Sequence, residues 1–390
     1  MRGLGRRERD YVKSNYDIVL VMLIVLLSIF GLIMIYSTSS YNAAKYYNDP
    51  QKYFRSQGLF ILIGLGLMVL ISMIDYREYF KPRRWLRGRP LVILLYLGTI
   101  GLLIALKFFG HESGGSARWL DIPGIPQFQP SEIAKITVIF FTAYRISVVR
   151  GGINRFWGYF RVALWMLPIL VPIVFQNLST AIIIAGIMTV MCFVVCRDKR
   201  YFLWVLLALL VFGTLAILLS PYRLERVQNW WNSENLDPSG QIVQGLYAIA
   251  SGGLWGKGLG ESSQKLGYIP EVHTDMIFTI ICEELGIFGA IIVIAVVLML
   301  LWRLLTIAIN APDTCGTLIA TGALTHVALQ VILNVAVVTN SIPATGVPFP
   351  FISYGGSSLM ILMAEMGVVL SVSKYTKKED LTEDEEETDI

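Results

Sequence analysis

Apolar runs long enough to cross a lipid bilayer recur along almost the whole chain of 390 residues. An α-helix needs roughly 17–25 such residues to span the hydrocarbon core. Because lipid cannot satisfy backbone polar groups, runs of this kind must form helices. The chain is 55% hydrophobic and only 15% charged, whereas soluble domains are about one quarter charged. The sequence therefore predicts an all-α polytopic membrane protein with no separate soluble domain.

The spacing of these runs predicts ten transmembrane helices. They cover residues 18–36, 58–74, 90–109, 131–149, 159–175, 178–196, 201–220, 275–305, 315–338 and 354–373. A basic tail (1–17) precedes this ten-span domain (18–373), and an acidic tail (374–390) follows it. The first apolar run is too long for a signal peptide and no small-residue cleavage site follows, so it is predicted to be an uncleaved span. Residues 221–274 are predicted to be a large loop between spans 7 and 8.

Basic residues predict the orientation of the chain. If both termini are cytoplasmic, the inside segments hold more than twice as many Lys and Arg residues as the outside segments, as the positive-inside rule requires. Loops 110–130, 221–274 and 339–353 are then extracytoplasmic, and they contain most of the unusual polar motifs. We expect the active face to be extracytoplasmic.

The stretch Gly256–Gly289 runs from a polar, glycine-rich loop directly into an apolar helix. Glu271, His273, Thr274 and Asp275 lie at the junction. Thr274 is predicted to be the N-cap, which would place Asp275 in the first helical turn, where the helix dipole favours an anion. The residue types alone leave Asp275 open as a general base, a metal ligand or a structural partner. His273 and Asp275 are two residues apart and do not share a helix face, so a metal cage is weakly supported.

A second polar cluster lies in Gly114–Ile136, where Arg118 precedes a span that contains Glu132 and Lys135. An ion pair between Glu132 and Lys135 within the helix is one interpretation. In the other, Lys135 and Arg118 bind an anionic headgroup, and phosphate or pyrophosphate suits such a pair of cations.

Glycines are concentrated in Gly245–Gly260 of the predicted loop. Such a segment can cradle phosphate, although a lone glycine-rich loop is a weak signal. Tight turns in a re-entrant loop explain the same composition, provided that the loop packs against protein.

Prolines and glycines interrupt the chain again in Pro343–Met360, between the last two spans. Ser353, Ser357 and the exposed amides of the following helix start can hold an anion. A structural turn is the competing interpretation.

Several ionisable or polar side chains fall inside the predicted spans: Glu283, Glu284, His326, Asn334 and Glu365. Interhelical hydrogen bonds account for His326, Asn334 and Glu365. Alternatively, they mark a proton or substrate pathway, because polar groups in a membrane are costly and often functional. The chain carries no Gly-x-x-x-x-Gly-Lys-Ser/Thr motif, so no nucleotide-driven process is indicated.

Taken in order, these motifs resemble the SEDS family of shape, elongation, division and sporulation proteins. The matching stretches are RWLDIPGIPQFQPSEIAKI, IVQGLYAIASGGLWGKGLGESSQKLGYIPEVHTDMIFTIICEELGIFG and GVPFPFISYGGSSL. The resemblance covers essentially the whole chain. One departure is QNLSTA at Gln176–Ala181, where many members carry Pro-Asp-x-Gly-Thr, so no role of that aspartate is transferred.

The resemblance implies a peptidoglycan glycosyltransferase in a bacterial plasma membrane. Such an enzyme polymerises glycan strands from lipid II, with undecaprenyl pyrophosphate as the leaving group, in elongation, division or sporulation. It implies that Asp275 is catalytic. The predicted substrate-binding residues are Arg118, Glu132, Lys135, Glu271, His273, Ser353 and Ser357. A divalent cation (Mg or Mn) as cofactor and a class B penicillin-binding protein as partner are also implied, without nucleic acid.

Two other classes of protein remain open at this point. A lipid II flippase would use Glu283, Glu284, Glu365 and His326 as a translocation path. Transporter sites, however, lie near the bilayer midplane, whereas most polar motifs here are expected at the outer face. A non-catalytic membrane scaffold for division proteins would not need Asp275, Lys135 and Glu283 together.

Overall fold

The computed structural model describes residues 11–13, 15–113, 116–120, 128–148, 156–231, 240–266, 269 and 272–377. The helices of this described part are α1 (Ile18–Tyr47), α2 (Lys52–Met73), α3 (Leu91–Phe109), α4 (Pro130–Val148), α5 (Phe156–Gln176), α6 (Leu178–Val195), α7 (Tyr201–Leu218), α8 (Pro221–Trp231), α9 (Gln241–Gly252), α10 (Ile277–Ile309), α11 (Thr314–Val338) and α12 (Gly356–Ser373). Short strands are β1 (Tyr11–Lys13), β2 (Pro82–Arg83), β3 (Arg89–Pro90), β4 (Gly110–Ser113), β5 (Ser116–Leu120) and β6 (Tyr375–Lys377).

Nine of the described helices are long and apolar enough to cross a membrane: α1, α2, α3, α5, α6, α7, α10, α11 and α12. The remaining predicted span corresponds to α4, which has 19 residues but carries Glu132, Lys135 and Arg145. Helix α4 packs against α3, α6 and α11 and is buried along most of its length, so it lies inside the bundle. The predicted all-α polytopic fold is confirmed.

The span bounds differ most at the first connection. We predicted spans at 18–36 and 58–74, which leaves residues 37–57 as their connection, but α1 continues to Tyr47 and α2 begins at Lys52. Asn48, in the left-handed conformation, ends α1 and donates its backbone N–H to the Ala44 carbonyl. Asparagine tolerates this conformation better than most residues. The two helices therefore project beyond the predicted apolar runs.

The three strand pairs are antiparallel and short, and they do not alter the helical class. One of them joins the ends of the described chain, because Tyr11 pairs with Lys377 and Lys13 with Tyr375. Both ends therefore lie on the same side of the bundle, as the predicted topology requires. That this side is cytoplasmic stays a prediction.

The described parts of the predicted long loop 221–274 include two helices, α8 and α9. Both helices were missed because their polar residues interrupt any apolar run. Helix α9 packs against α10. Helix α8 lies close to the chain segment before α12, where the Trp230 indole donates to the Asn340 carbonyl at 2.8 Å.

Helix α10 is broken at Gly286, whose φ of 69° and ψ of −170° are not helical. The glycine-rich segment 253–258 lies against this break. Lys257 and Gly258 donate their backbone N–H groups to the Glu283 and Glu284 carbonyls at 3.0 Å. Across the break, Ile287 donates to the Gly253 carbonyl at 3.0 Å. These bonds satisfy backbone groups that the broken helix leaves unpaired.

The close approach of the two backbones explains the glycines. A Cβ on Gly256 would lie 2.2 Å from the Glu284 carbonyl oxygen, and one on Gly286 would lie 2.4 Å from the Gly256 nitrogen. The structure thus supports the packed-turn interpretation of this glycine-rich segment. Its amides at Lys257 and Gly258 are used by α10 and are not directed at a phosphate.

Candidate active site around Asp275

Asp275 lies in a turn, residues 272–276, that leads into α10. The predicted N-cap was wrong: α10 begins at Ile277, and its N-cap Met276 makes no side-chain capping bond. Thr274 instead donates its hydroxyl to Asp275 Oδ1 at 3.1 Å. The carboxylate of Asp275 therefore precedes the helix and is not drawn into its first turn.

Two distant parts of the chain hold this turn in place. Asn334 of α11 donates from Nδ2 to the Asp275 carbonyl at 2.7 Å and to the Val347 carbonyl at 2.8 Å. Ser353 donates its hydroxyl to the Thr274 carbonyl at 2.6 Å. Both side chains are buried. The backbone at Thr274 and Asp275 is therefore held by two buried hydrogen-bond donors.

Ser353 and Ser357, the predicted substrate-binding serines of Pro343–Met360, are both buried within the protein. Ser353 Oγ accepts a hydrogen bond from the backbone N–H of Phe349 at 2.8 Å. Its own hydroxyl hydrogen is donated to the Thr274 carbonyl. Ser357 is buried in the first turn of α12. This geometry matches the structural-turn interpretation; substrate binding by either serine stays a prediction.

His273 is buried between aromatic rings, with its ring centroid 4.5 Å from that of Tyr53 and 5.4 Å from that of Tyr354. Burial lowers the pKa of His273 to about 4, so its imidazole is neutral at ordinary pH. Its Nδ1 is buried and makes no hydrogen bond to any residue that the structure describes. Glu271, the other predicted residue of this motif, lies outside the described residues.

Burial also raises the pKa of the Asp275 carboxyl group. The hydrogen bond from Thr274 and the nearby charge of Arg226 lower it, but burial is the largest effect. Gly346 flanks the carboxylate, since a Cβ added there would lie 3.9 Å from Asp275 Oδ2. A half-buried carboxylate with a raised pKa is a stronger base than an exposed aspartate, as general base catalysis requires.

Glu132 and Lys135 form an ion pair within α4, with 2.9 Å between Oε2 and Nζ. Both side chains are buried, and Lys135 is only 2% exposed. The structure therefore contains the ion pair that was one of the two interpretations. Headgroup binding by Lys135 stays a prediction.

Arg118 lies on β5, with its Nε donating to the Gln176 carbonyl at 3.3 Å. Burial lowers its pKa, and the charges of Arg226 and Arg223 lower it further. These two arginines belong to α8, and sequence reasoning assigned them no role. A basic helix opening the long loop is the signal that could have identified them.

The segment Gln176–Ala181, which departs from the SEDS pattern, contains the start of α6. Asn177 occupies the position of the missing aspartate, and its Oδ1 accepts the backbone N–H groups of Ser179 at 3.1 Å and Thr180 at 3.2 Å. It thus N-caps α6, for which asparagine and aspartate are equally suitable.

The two glutamates deeper in α10 bind lysines of the loop. Glu283 pairs with Lys257 at 2.6 Å and Glu284 with Lys265 at 2.9 Å. Ser37 of α1 adds a hydrogen bond to Glu284 at 2.7 Å. These contacts fasten segment 257–265 to α10 and α1, so the glutamates are part of the scaffold.

Glu365 of α12 is paired as well. Its Oε2 lies 2.8 Å from His326 Nδ1 of α11, and both side chains are buried. This contact matches the interhelical hydrogen bond that was one of the two interpretations.

The chain belongs to the FtsW/RodA/SpoVE family, described as cell cycle proteins, whose family model matches residues 17–378. The resemblance predicted from the motifs is confirmed. A probable peptidoglycan glycosyltransferase FtsW from Trichlorobacter lovleyi is 36% identical, covering 95% of this chain and 96% of the relative. Stage V sporulation protein E of Bacillus subtilis is 37% identical, covering 94% and 99%.

Two solved structures share the fold. A chain from a peptidoglycan synthase complex that coordinates polymerization and crosslinking has a TM-score of 0.74 at 28% identity, covering 92% of this chain and 97% of that one. The rod shape determining protein RodA of Thermus thermophilus has a TM-score of 0.63 at 26% identity, covering 92% and 96%.

Proposed function

We propose that this chain is a peptidoglycan glycosyltransferase that polymerises glycan strands from lipid II at the extracytoplasmic face of a bacterial cell membrane. The observation that carries the proposal is the carboxylate of Asp275. It is half-buried, its pKa is raised by burial, and Asn334 and Ser353 hold its turn. The probable peptidoglycan glycosyltransferase FtsW named above supports the same reaction.

In the proposed reaction, Asp275 removes the proton from the GlcNAc 4-hydroxyl of the acceptor. That oxygen attacks C1 of the donor MurNAc and forms the new glycosidic bond. The bond between C1 and the pyrophosphate oxygen breaks, and its electron pair leaves with undecaprenyl pyrophosphate. One displacement converts the α-linked donor into a β-linked product, so no covalent enzyme intermediate is needed. A positioned base contributes on the order of 10²- to 10⁴-fold.

A divalent cation fits this site only together with substrate. The described residues contain no group of three or more His, Cys, Asp or Glu side chains that could hold a metal ion. Mg²⁺ is commonly bound by one or two carboxylates with the phosphates of the substrate completing the site. The substrate phosphates would hold the cation, which would supply positive charge to the pyrophosphate, while Asp275 acts as the base.

A flippase is not supported by the structure. The intramembrane groups that suggested a path are engaged in contacts within the fold: Glu283 with Lys257, Glu284 with Lys265 and Glu365 with His326. We propose a class B penicillin-binding protein as the partner, because a related chain was solved within a peptidoglycan synthase complex that couples polymerization and crosslinking.

The test is polymerisation of lipid II by the purified protein, with its partner transpeptidase and Mg²⁺. Wild type should give glycan ladders on a gel, and Asp275→Ala should give none while remaining folded and bound to the partner. Asp49→Ala is a matched control, because Asp49 is an exposed carboxylate between α1 and α2. Ladders from purified Asp275→Ala at wild-type rate would refute the assignment.

A further inference from the structure

Three arginine side chains lie near one another, and one of them, Arg226, also lies near the candidate base. Arg118 comes from β5, whereas Arg223 and Arg226 are one turn apart on α8. Burial is the largest effect that lowers the pKa of Arg118, and the charges of Arg226 and Arg223 lower it as well. The cluster is therefore assembled by the tertiary structure from segments more than 100 residues apart.

Main-chain carbonyls anchor the cluster. Arg223 donates from Nη1 to the Ala216 carbonyl at 3.1 Å and from Nη2 to the Phe175 carbonyl at 3.3 Å. Arg118 binds the next carbonyl, that of Gln176. Carbonyls at helix ends lack intrahelical partners, so these contacts position the guanidinium groups without neutralising them.

The α8 arginines lack carboxylate partners among the described residues: no ion pair there involves Arg223 or Arg226. Like charges held together repel, and a bound polyanion would relieve that repulsion. Arginine is well suited to bind phosphate oxygens, because its planar fork makes two parallel hydrogen bonds.

The cluster also lies next to Asp275. Arg226 Nη1 donates to the Ala344 carbonyl at 3.1 Å. The charge of Arg226 lowers the pKa of the Asp275 carboxyl group, although burial, the larger effect, raises it. Gly346, two residues further along, flanks Asp275 Oδ2. An anion bound by Arg226 would thus be close to the base.

We propose that Arg118, Arg223 and Arg226 bind the diphosphate group of the lipid-linked donor, which makes α8 a substrate-binding helix. The inference rests on the proposed function and deepens it. Lys135, the sequence-based candidate for this task, is bound to Glu132 within α4. Charge develops on the diphosphate oxygen as its bond to C1 breaks, so cations held there stabilise the transition state.

The test measures binding of farnesyl pyrophosphate, and of farnesyl monophosphate for comparison, to the purified protein in detergent. Arg226→Gln is the main variant, because Arg226 is exposed and its loss removes a single described hydrogen bond within the protein. We expect it to weaken farnesyl pyrophosphate binding about 10- to 100-fold, the effect of one charged hydrogen bond. Arg226→Lys should be intermediate, and the monophosphate should bind more weakly than the diphosphate.

Arg55→Gln is the matched control, since Arg55 is an exposed arginine near the start of α2. Equal binding by wild type and Arg226→Gln would overturn the proposal, as would equal weakening in Arg55→Gln. Equal affinity for the two farnesyl phosphates would overturn the assignment to a diphosphate.

Binding is measured without turnover, so it can be repeated with Asp275→Ala. If that variant still polymerises lipid II while Arg226→Gln weakens binding, the base is wrongly assigned and the diphosphate site stands. If polymerisation requires Asp275 but Arg226→Gln binds normally, the function stands and the site is wrong.

Discussion

The ion pair between Glu284 and Lys265 offers a quantitative test of how the long loop is fastened to the membrane domain. Glu284 is fully buried in α10, and Lys265 Nζ lies 2.9 Å from its Oε1 with 8% of the lysine side chain exposed. Ser37 of α1 donates to the same carboxylate. Three parts of the chain therefore meet at this charge.

Removing one partner should cost about 3–5 kcal/mol, because it leaves the other charge buried without compensation. Solvent screening does not reduce this figure much, since both groups are almost inaccessible. Glu284→Gln and Lys265→Met should each be strongly destabilising, whereas the double variant buries no unpaired charge. We expect a coupling energy of at least about 2 kcal/mol, in the upper part of the range for contacting residues.

The assay is thermal unfolding of the purified variants in one detergent, followed by tryptophan fluorescence. Arg55→Gln with Asp49→Asn forms a control cycle, because that pair is exposed and separated by 3.6 Å; its coupling should be below about 1 kcal/mol. Strictly additive effects of Glu284→Gln and Lys265→Met would refute the reasoning.

Three further predictions concern the break in α10 and the base. Gly286→Ala should lower the unfolding temperature clearly, because its backbone conformation is open only to glycine, at about 1–3 kcal/mol of strain, and its Cβ would overlap the Gly256 nitrogen. Gly213→Ala in α7, where a Cβ meets no atom within 4 Å, is the control; equal shifts would contradict the packing argument. The kcat/KM of polymerisation should fall as pH drops through the raised pKa of Asp275, since only the deprotonated carboxylate accepts a proton. Arg226→Gln removes a charge that lowers this pKa and should move the acidic limb to higher pH; an unmoved limb would refute that coupling.

The spans could be predicted closely because their signal is local. Runs of apolar residues set helix length against bilayer thickness, and predictions such as 178–196 and 315–338 agree with α6 and α11 to within a residue. The charged helix α4 was predicted from the same signal. Helices α8 and α9 were not, because polar, amphipathic segments resemble loops in composition.

The candidate site was also predictable only in part from the sequence. Asp275 could be identified because a carboxylate at the mouth of an apolar helix is unusual. The side chains that hold the Asp275 turn could not be identified in this way. Asn334 is 59 residues from Asp275, whose carbonyl it binds, and Ser353 is 79 residues from Thr274. Sequence spacing carries no information on contacts at such separations.

The sequence by itself determined the class of membrane protein, the family and the aspartate that is the candidate base, because apolar length and ordered motifs are properties of the chain. Only the tertiary structure decided which charges act together. It paired Lys265 with Glu284, it brought Arg223 and Arg226 of α8 to Arg118, and it brought Arg226 to Asp275. The physical reason is that electrostatic interaction depends on distance in space, and packing sets that distance.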